Sequence, residues 1–290
     1  MTFARWFELE LPWGRLWDED LDTMSVTDVI ALVPCAGHAT RLRGLPCSKE
    51  IFPLGFAADA VDGSPQPRAV CLHLLSCLCE AGVRRAYVLL RQGKWDIPAY
   101  LGDGAAVGLD LAYRVLEPTA GVADTLDRAY PFVQDSLVAL GFPDTLFQPE
   151  DAYVHLLARQ RESGADIVLG LFPTDRPEKV DMVVLDDAGR VTDIAIKEPN
   201  CDLSYCWCIA VWTPAFTRYL HAFLKRPEAR GAAAAGEEIS PGHVIRAAMR
   251  EGMGVEAVAF PTGEHLDVGS PGDLMRATQR FLATEPGRPR

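Results

Sequence analysis

Five consecutive aliphatic residues, Val29-Ile30-Ala31-Leu32-Val33, run directly into Pro34 and then into a turn of small residues, Cys35-Ala36-Gly37. A short apolar run of this kind reads as a buried strand, and the proline is expected to stop it. In the turn, Gly37 and the small Ala36 and Ala39 let backbone N–H groups approach an anion, while Arg41 and Lys49 add fixed positive charge. The turn is a phosphate cradle on one reading. On the other it is the ordinary Gly-containing turn after the first strand of an α/β protein.

The following residues set the fold class. Gly63 to Pro67 is a turn-rich break; Cys71, Leu74, Leu75 and Leu78 then repeat at helical spacing, with Gly82 as the stop, and Ala86–Leu90 reads as the next strand. Strand, loop, helix and strand in this order make a βαβ unit, which implies parallel pairing and a right-handed crossover. Ligands of such sheets gather at the carboxyl ends of the strands, where the turn at Gly37 lies. The expected architecture is α/β: a Rossmann-like mixed, mainly parallel sheet with flanking helices. At 290 residues the chain is long enough for one large domain.

Composition narrows the function. A formal charge of −12 argues against a general nucleic-acid binder, which gains affinity by neutralising phosphates with surface Lys and Arg. A small anionic substrate remains compatible, because local cations decide its binding. No apolar run approaches the roughly 18 residues needed to cross a bilayer, and no basic segment followed by an apolar one opens the chain, so a cytoplasmic, membrane-free protein is expected. Cys71, Cys77 and Cys79 fall on the apolar helical stretch, and Cys201, Cys206 and Cys208 lack a second ligand pair at zinc spacing. Reduced thiols are the simpler account. Residues 1–27 crowd Trp6, Trp13 and Trp17 among acidic residues, either as a packing arm or as an extension upstream of a start at Met24.

The stretch PCAGHATRLRGLPCSKEIFPLG resembles the signature loop of the sugar nucleotidyltransferases, the glucose-1-phosphate thymidylyl- and uridylyltransferase group. Gly37, Thr40, Arg41, Ser48, Lys49 and Pro53 fit its order and spacing. Ala39 stands where the family usually has glycine, so a positive φ there would be strained, or the loop is re-shaped. Tyr100-Leu-Gly-Asp-Gly, Gly108-Leu-Asp-Leu-Ala-Tyr and Glu117-Pro-Thr-Ala-Gly121 extend the similarity. The resemblance implies that Ala36, Gly37, His38, Ala39, Thr40 and Arg41 bind nucleotide, with Leu116, Glu117, Gly121 and Asp124 near the base. Leu116 replaces the glutamine that commonly reads uracil or thymine. Glu117 and Asp124 are acceptors that suit an exocyclic amino group, as on cytosine or adenine, or are plain solvated loop carboxylates.

Ser136 to Asp144 is an apolar strand ending in an acidic residue, and His265-Leu-Asp267-Val-Gly-Ser-Pro lies far downstream. From spacing alone Asp144 is a turn residue after Pro143. The resemblance instead makes Asp144 and Asp267 the two ligands of Mg2+ and adds Arg41 and Lys49 as catalytic cations. Between them a helix opened by Pro149 and closed by Gly164 is expected, then strand Asp166–Phe172 and a hairpin at Asp186-Asp-Ala-Gly-Arg. Lys197-Glu198 reverses the Glu-Lys order of many relatives. Lys197 is expected on the sugar phosphate and Glu198 on the sugar, unless strand alternation turns the cation away. Tyr205–Trp212 reads as a strand and Arg230 to Gly236 as a low-complexity loop. Ser240 and Ser270-Pro-Gly-Asp273 are helix caps, the second leading a stripe of Leu274, Ala277 and Phe281.

The resemblance covers about residues 28–284: a nucleotide part at about 28–145, a small β-rich sugar part at about 146–284, an extension at 1–27 and a tail at 285–290. It implies Mg2+-dependent transfer of a nucleoside monophosphate from a nucleoside triphosphate to a sugar 1-phosphate with release of pyrophosphate, by a protein often found as a homo-oligomer. Two alternatives stay beside it: the same transfer to a non-hexose phosphate or phosphonate acceptor, and an inactive nucleotide-sugar-binding regulator.

Overall fold

The structure is a computed structural model that describes residues 28–42, 44–58, 64–198 and 201–282. The readings for 1–27, for the tail and for the Phe281 side chain lie outside the described residues. Among the described residues, thirteen strands and nine α-helices follow in chain order: β1 (Val29–Cys35), β2 (Pro53–Ala58), β3 (Pro65–Ala69), α1 (Cys71–Glu80), β4 (Arg85–Arg91), α2 (Asp96–Leu101), β5 (Asp110–Leu116), α3 (Val122–Asp127), α4 (Tyr130–Val133), β6 (Leu137–Gly141), β7 (Thr145–Gln148), α5 (Ala152–Ser163), β8 (Ile167–Pro173), β9 (Asp181–Leu185), β10 (Val191–Ile196), β11 (Tyr205–Trp212), α6 (Pro214–Leu224), α7 (Pro227–Ala234), α8 (Pro241–Arg250), β12 (Val255–Ala259), β13 (Glu264–Asp267) and α9 (Pro271–Leu282).

Nine strands share one mixed sheet in the order β10-β9-β11-β6-β1-β4-β5, with β8 pairing β11 and β12. The expected βαβ unit is present: β1 pairs β4 in parallel, with α1 between them in sequence, and β6 and β5 continue the parallel half. Across β6, β11 runs antiparallel and joins the later strands to the same sheet. The central strand shows why the fold is doubly covered. Ala31, Val33 and Cys35 enter one apolar cluster with α1 and α5, while Ile30 and Leu32 enter the other with α3, α6 and α8. A strand buried on both faces has no polar side to expose, which is what the uninterrupted apolar run requires.

Four boundaries differ from the sequence reading. β1 passes through Pro34, whose partner is Leu89 of β4; pairing with β6 has ended at Leu32, so the imino nitrogen meets a sheet that is already opening. The break before α1 carries a two-stranded sheet, β2 with β3. Helix α5 starts at Ala152 rather than at Pro149. The Ala-rich stretch expected as a loop is helix α7, ending before Gly236 at φ 80°, because alanine has the strongest intrinsic helix preference. Other expectations hold. Gly82 and Gly164 end α1 and α5 with positive φ, Gly189 turns the β9–β10 hairpin, and Ser240 caps α8 in a reciprocal box with His243.

No helix among the described residues is long and apolar enough to cross a membrane. The eight cysteines are free.

Candidate active site

Three strand ends build one wall. The carboxyl ends of β1, β5 and β6 lead into the loops at Gly37, at Glu117 to Gly121 and at Asp144, which open on a common cavity of about 590 Å3. This is where a sheet whose strand order reverses leaves a crevice.

Asp144 follows β6 after Phe142 and Pro143 and stays largely buried. Asp267 reaches it through a second, two-stranded sheet: β13 pairs β7 antiparallel with Asp267 opposite Thr145, and Val268 N–H donates to the Asp144 carbonyl at 2.8 Å. A small cluster of Leu54, Val70, Leu146, Val268 and Ala277, with Leu274 of α9, fixes that ladder. The two carboxylates therefore stand beside each other on one cavity wall, held by backbone pairing rather than by their own side chains.

Lys49 lies between them. Its ammonium pairs with Asp144, and although burial works against its charge, Asp144 and Asp267 together raise its proton affinity. Asp267 is open to the cavity but enclosed by protein on most sides. Burial and the neighbouring Asp144 charge push it up to about 7, with Lys49 and Arg41 opposing. Arg41 is not among the cavity walls, yet its guanidinium reaches the Asp267–Gly269 turn: a Cβ on Gly269 would meet Arg41 Nη2 at 3.3 Å and Asp267 Oδ2 at 2.7 Å.

Of the other expected residues, Ala36, Gly37, His38, Leu116, Glu117, Gly121 and Lys197 line the cavity. Ala39, Thr40, Asp124 and Glu198 do not. Asp124 instead accepts from Ala120 N–H at 2.9 Å and from Arg128 Nε at 3.1 Å, so it staples its own loop. Ala39 adopts a left-handed backbone despite its side chain, with φ 49°. Gly121, at φ 148°, packs where a Cβ would meet Glu238 Cγ at 2.7 Å and Ile239 O at 3.3 Å, so the Glu117 to Gly121 loop touches the approach to α8. At Lys197 the alternation argument meets a local exception. Strand β10 ends at Ile196, and Lys197 adopts φ 44°, which turns its side chain to the cavity beside Glu238, at 3.8 Å, and leaves Glu198 exposed outside.

Several cavity residues escaped the sequence reading. Glu50 accepts from Lys94 Nζ at 2.6 Å in an almost fully buried pair under the signature loop, and Asp181, Trp207, Ser240 and His265 come from the later strands and α8. Glu50 could have been found as the neighbour of Lys49. Asp181 offered only one signal, an acid beginning an apolar strand.

The chain has relatives of defined kind. The family described as nucleotidyl transferase matches residues 31–284. A glucose-1-phosphate thymidylyltransferase of Actinoplanes sp. is 27% identical over 260 residues, covering 87% of this chain and 78% of that protein. One of Streptomyces antibioticus is 24% identical, covering 87% of this chain and 66% of its own length. The low-salt glycan biosynthesis nucleotidyltransferase Agl11 of Haloferax volcanii is 25% identical, covering 74% and 58%. Among solved structures, a protein of Bacillus anthracis assigned as a glucose-1-phosphate thymidylyltransferase superposes with TM-score 0.73 at 18% identity, covering 90% of this chain and 98% of that one. The inositol-1-phosphate CTP transferase of T. maritima does so with TM-score 0.66 at 22% identity, covering 88% and 96%. Both share the mixed α/β fold.

Proposed function

This chain belongs to the nucleotidyl transferase family, and on that premise we propose that it moves a nucleoside monophosphate from a nucleoside triphosphate to a sugar 1-phosphate, releasing pyrophosphate and forming a nucleoside diphosphate sugar. The observation that carries this reading is the meeting of Asp144, Asp267 and Lys49 on one wall of the cavity that also holds the Gly37 turn.

The acceptor's phosphate monoester has a second pKa of about 6, so it is already largely ionised at neutral pH and needs no general base. The chain's task is in-line placement and neutralisation of charge. Backbone groups of the Gly37 turn cradle the triphosphate, Arg41 takes the leaving pyrophosphate, and Lys49 sits at the transferred phosphate. Lys197, turned inward by its backbone, meets the acceptor phosphate. Leu116 offers no side-chain amide to uracil or thymine, whereas Glu117 offers an acceptor to the amino group of cytosine or adenine.

The donor set fits magnesium. Two adjacent carboxylates, with Asp267 raised by burial and by the Asp144 charge, attract a shared cation, and magnesium is satisfied by one or two carboxylates with phosphate oxygens and water. Asp144 and Asp267 would hold it, and when bound it would offset negative charge on the phosphates. Of the departures that favour a regulator, Lys197 still faces the cavity, where a cation serves an anionic acceptor.

Pyrophosphate release from each of UTP, dTTP, CTP, ATP and GTP, paired with glucose 1-phosphate, other sugar 1-phosphates, inositol 1-phosphate and ethanolamine phosphate, tests the proposal. Release that requires one triphosphate, one acceptor and magnesium supports it. Tight binding of a nucleotide sugar with no release for any pair identifies a regulator instead.

A further inference from the structure

Deep in the acceptor half of the cavity, two polar atoms of opposite character lack a partner. Asp181 is 9% exposed; its Oδ2 accepts from Ser240 Oγ at 3.3 Å, while its Oδ1 is buried without a hydrogen bond. Trp207 is 6% exposed, and its Nε1 donor is likewise buried without one. Both residues line the cavity. They are also neighbours by register. Cys206 of β11 pairs Met182 of β9 antiparallel, and one step along the two chains stand Trp207 and Asp181, on the same face of the sheet.

Buried polar groups are almost always hydrogen-bonded, so two orphans side by side require an explanation. Asp181 is walled in as well. A side chain at Gly242, in the first turn of α8, would collide with its Oδ2, and burial raises its proton affinity against the opposing charge of Lys197. One orphan is an acceptor and the other a donor. A hydroxyl satisfies both at once, donating its proton to the carboxylate and accepting from the indole N–H. An ammonium group satisfies only the first and points a cation at the N–H donor; a quaternary ammonium has no proton to offer at all.

We propose that Asp181 and Trp207 form a hydroxyl-reading pair that selects polyhydroxylated phosphates, sugar or cyclitol, over amino-alcohol phosphates as the acceptor. The assignment rests on the proposed transfer reaction for the place of the acceptor, and on the two orphaned atoms for its chemistry. Engagement takes a rotation of one or both side chains towards the cavity, and the unmet hydrogen bonds supply the drive for it. A site built around a hydroxyl rejects an analogue lacking it far more strongly than an apolar pocket distinguishes a methylene, because the site's own polar groups are then left unpaired.

Calorimetry on the full chain with magnesium tests this, using glucose 1-phosphate, its singly deoxygenated counterparts, myo-inositol 1-phosphate and ethanolamine phosphate as probes. For the natural chain, one deoxygenated probe is expected to bind on the order of 100-fold more weakly than glucose 1-phosphate, and ethanolamine phosphate at least as weakly. Trp207→Phe, which keeps the ring and removes the N–H, and Asp181→Ala should each shrink that ratio towards one for the same position. Circular dichroism checks that both variants fold. Equal binding of all deoxygenated probes overturns the assignment. So does a uniform loss across all probes in both variants, a preference for ethanolamine phosphate, or no binding by any polyhydroxylated probe. A natural chain that shows the binding ratio but releases no pyrophosphate removes the transfer reading and leaves the hydroxyl-reading pair standing.

Discussion

The backbone N–H of Val268 donates to the carbonyl of Asp144 at 2.8 Å, and together with the β7–β13 ladder it places Asp267 beside Asp144. Because backbone pairing carries the alignment, Asp267→Asn should leave the fold intact and abolish turnover. Circular dichroism and pyrophosphate release on the same preparation check it. Near-normal kinetics would remove the two-carboxylate arrangement.

Burial and the Asp144 charge raise Asp267 to about 7, well above the ordinary carboxylate range. The folded chain then holds this proton more tightly than the unfolded one. The resulting stability is complete below about pH 4, near the unfolded value, and is lost as pH rises towards 7. In chelator, the melting temperature of the natural chain should fall across that window more steeply than that of Asp267→Asn. Parallel curves would show that the fold does not raise Asp267.

Glu50 and Lys94 are buried together, at 1% and 3% exposure. Lys94→Met strands the carboxylate, and removing one member of such a pair costs about 3–5 kcal/mol. Burial is the main cause that raises Glu50, so the loss should ease as pH falls and Glu50 takes up a proton. Urea unfolding at two pH values measures both. The double variant Lys94→Met with Glu50→Leu should recover most of the loss.

Ala39 holds φ 49°, a conformation that costs an L-residue about 1 kcal/mol and glycine almost nothing. Ala39→Gly should therefore stabilise the chain by up to that amount, less the added freedom of the unfolded glycine. Denaturant titration reads the sign. Destabilisation would mean that the methyl group makes contacts which outweigh the strain.

Gly121→Ala should weaken nucleotide binding more than acceptor binding. Its φ of 148° disfavours a side chain, and the new Cβ would press on Glu238 Cγ and the Ile239 carbonyl. A rise in KM for the triphosphate of roughly 10-fold, matching about 1.4 kcal/mol, is expected from steady-state kinetics. A change confined to the acceptor would place the loop on the other side of the cavity.

Local signals carried much of the architecture. Periodicity marked α1 and its Gly82 stop, the apolar run marked β1, and Tyr205–Trp212 marked β11 with the boundaries observed. These are decided by which side chains avoid water at periods of two or 3.6, information that neighbouring residues contain. Where such signals compete, short-range reading failed. Small residues suggested a loop at α7, where alanine's helix preference prevailed.

By itself, the sequence determined that this chain builds a doubly covered α/β sheet with a cationic turn at the end of its first strand, because hydrophobic patterning and turn chemistry are local properties. Only the tertiary structure decided that Asp267 stands beside Asp144, that Glu50 needs Lys94, and that Asp181 and Trp207 share a wall. Those relations depend on strand register and helix packing between segments far apart in the chain, where burial and unmet hydrogen bonds exist only once the sheet has formed.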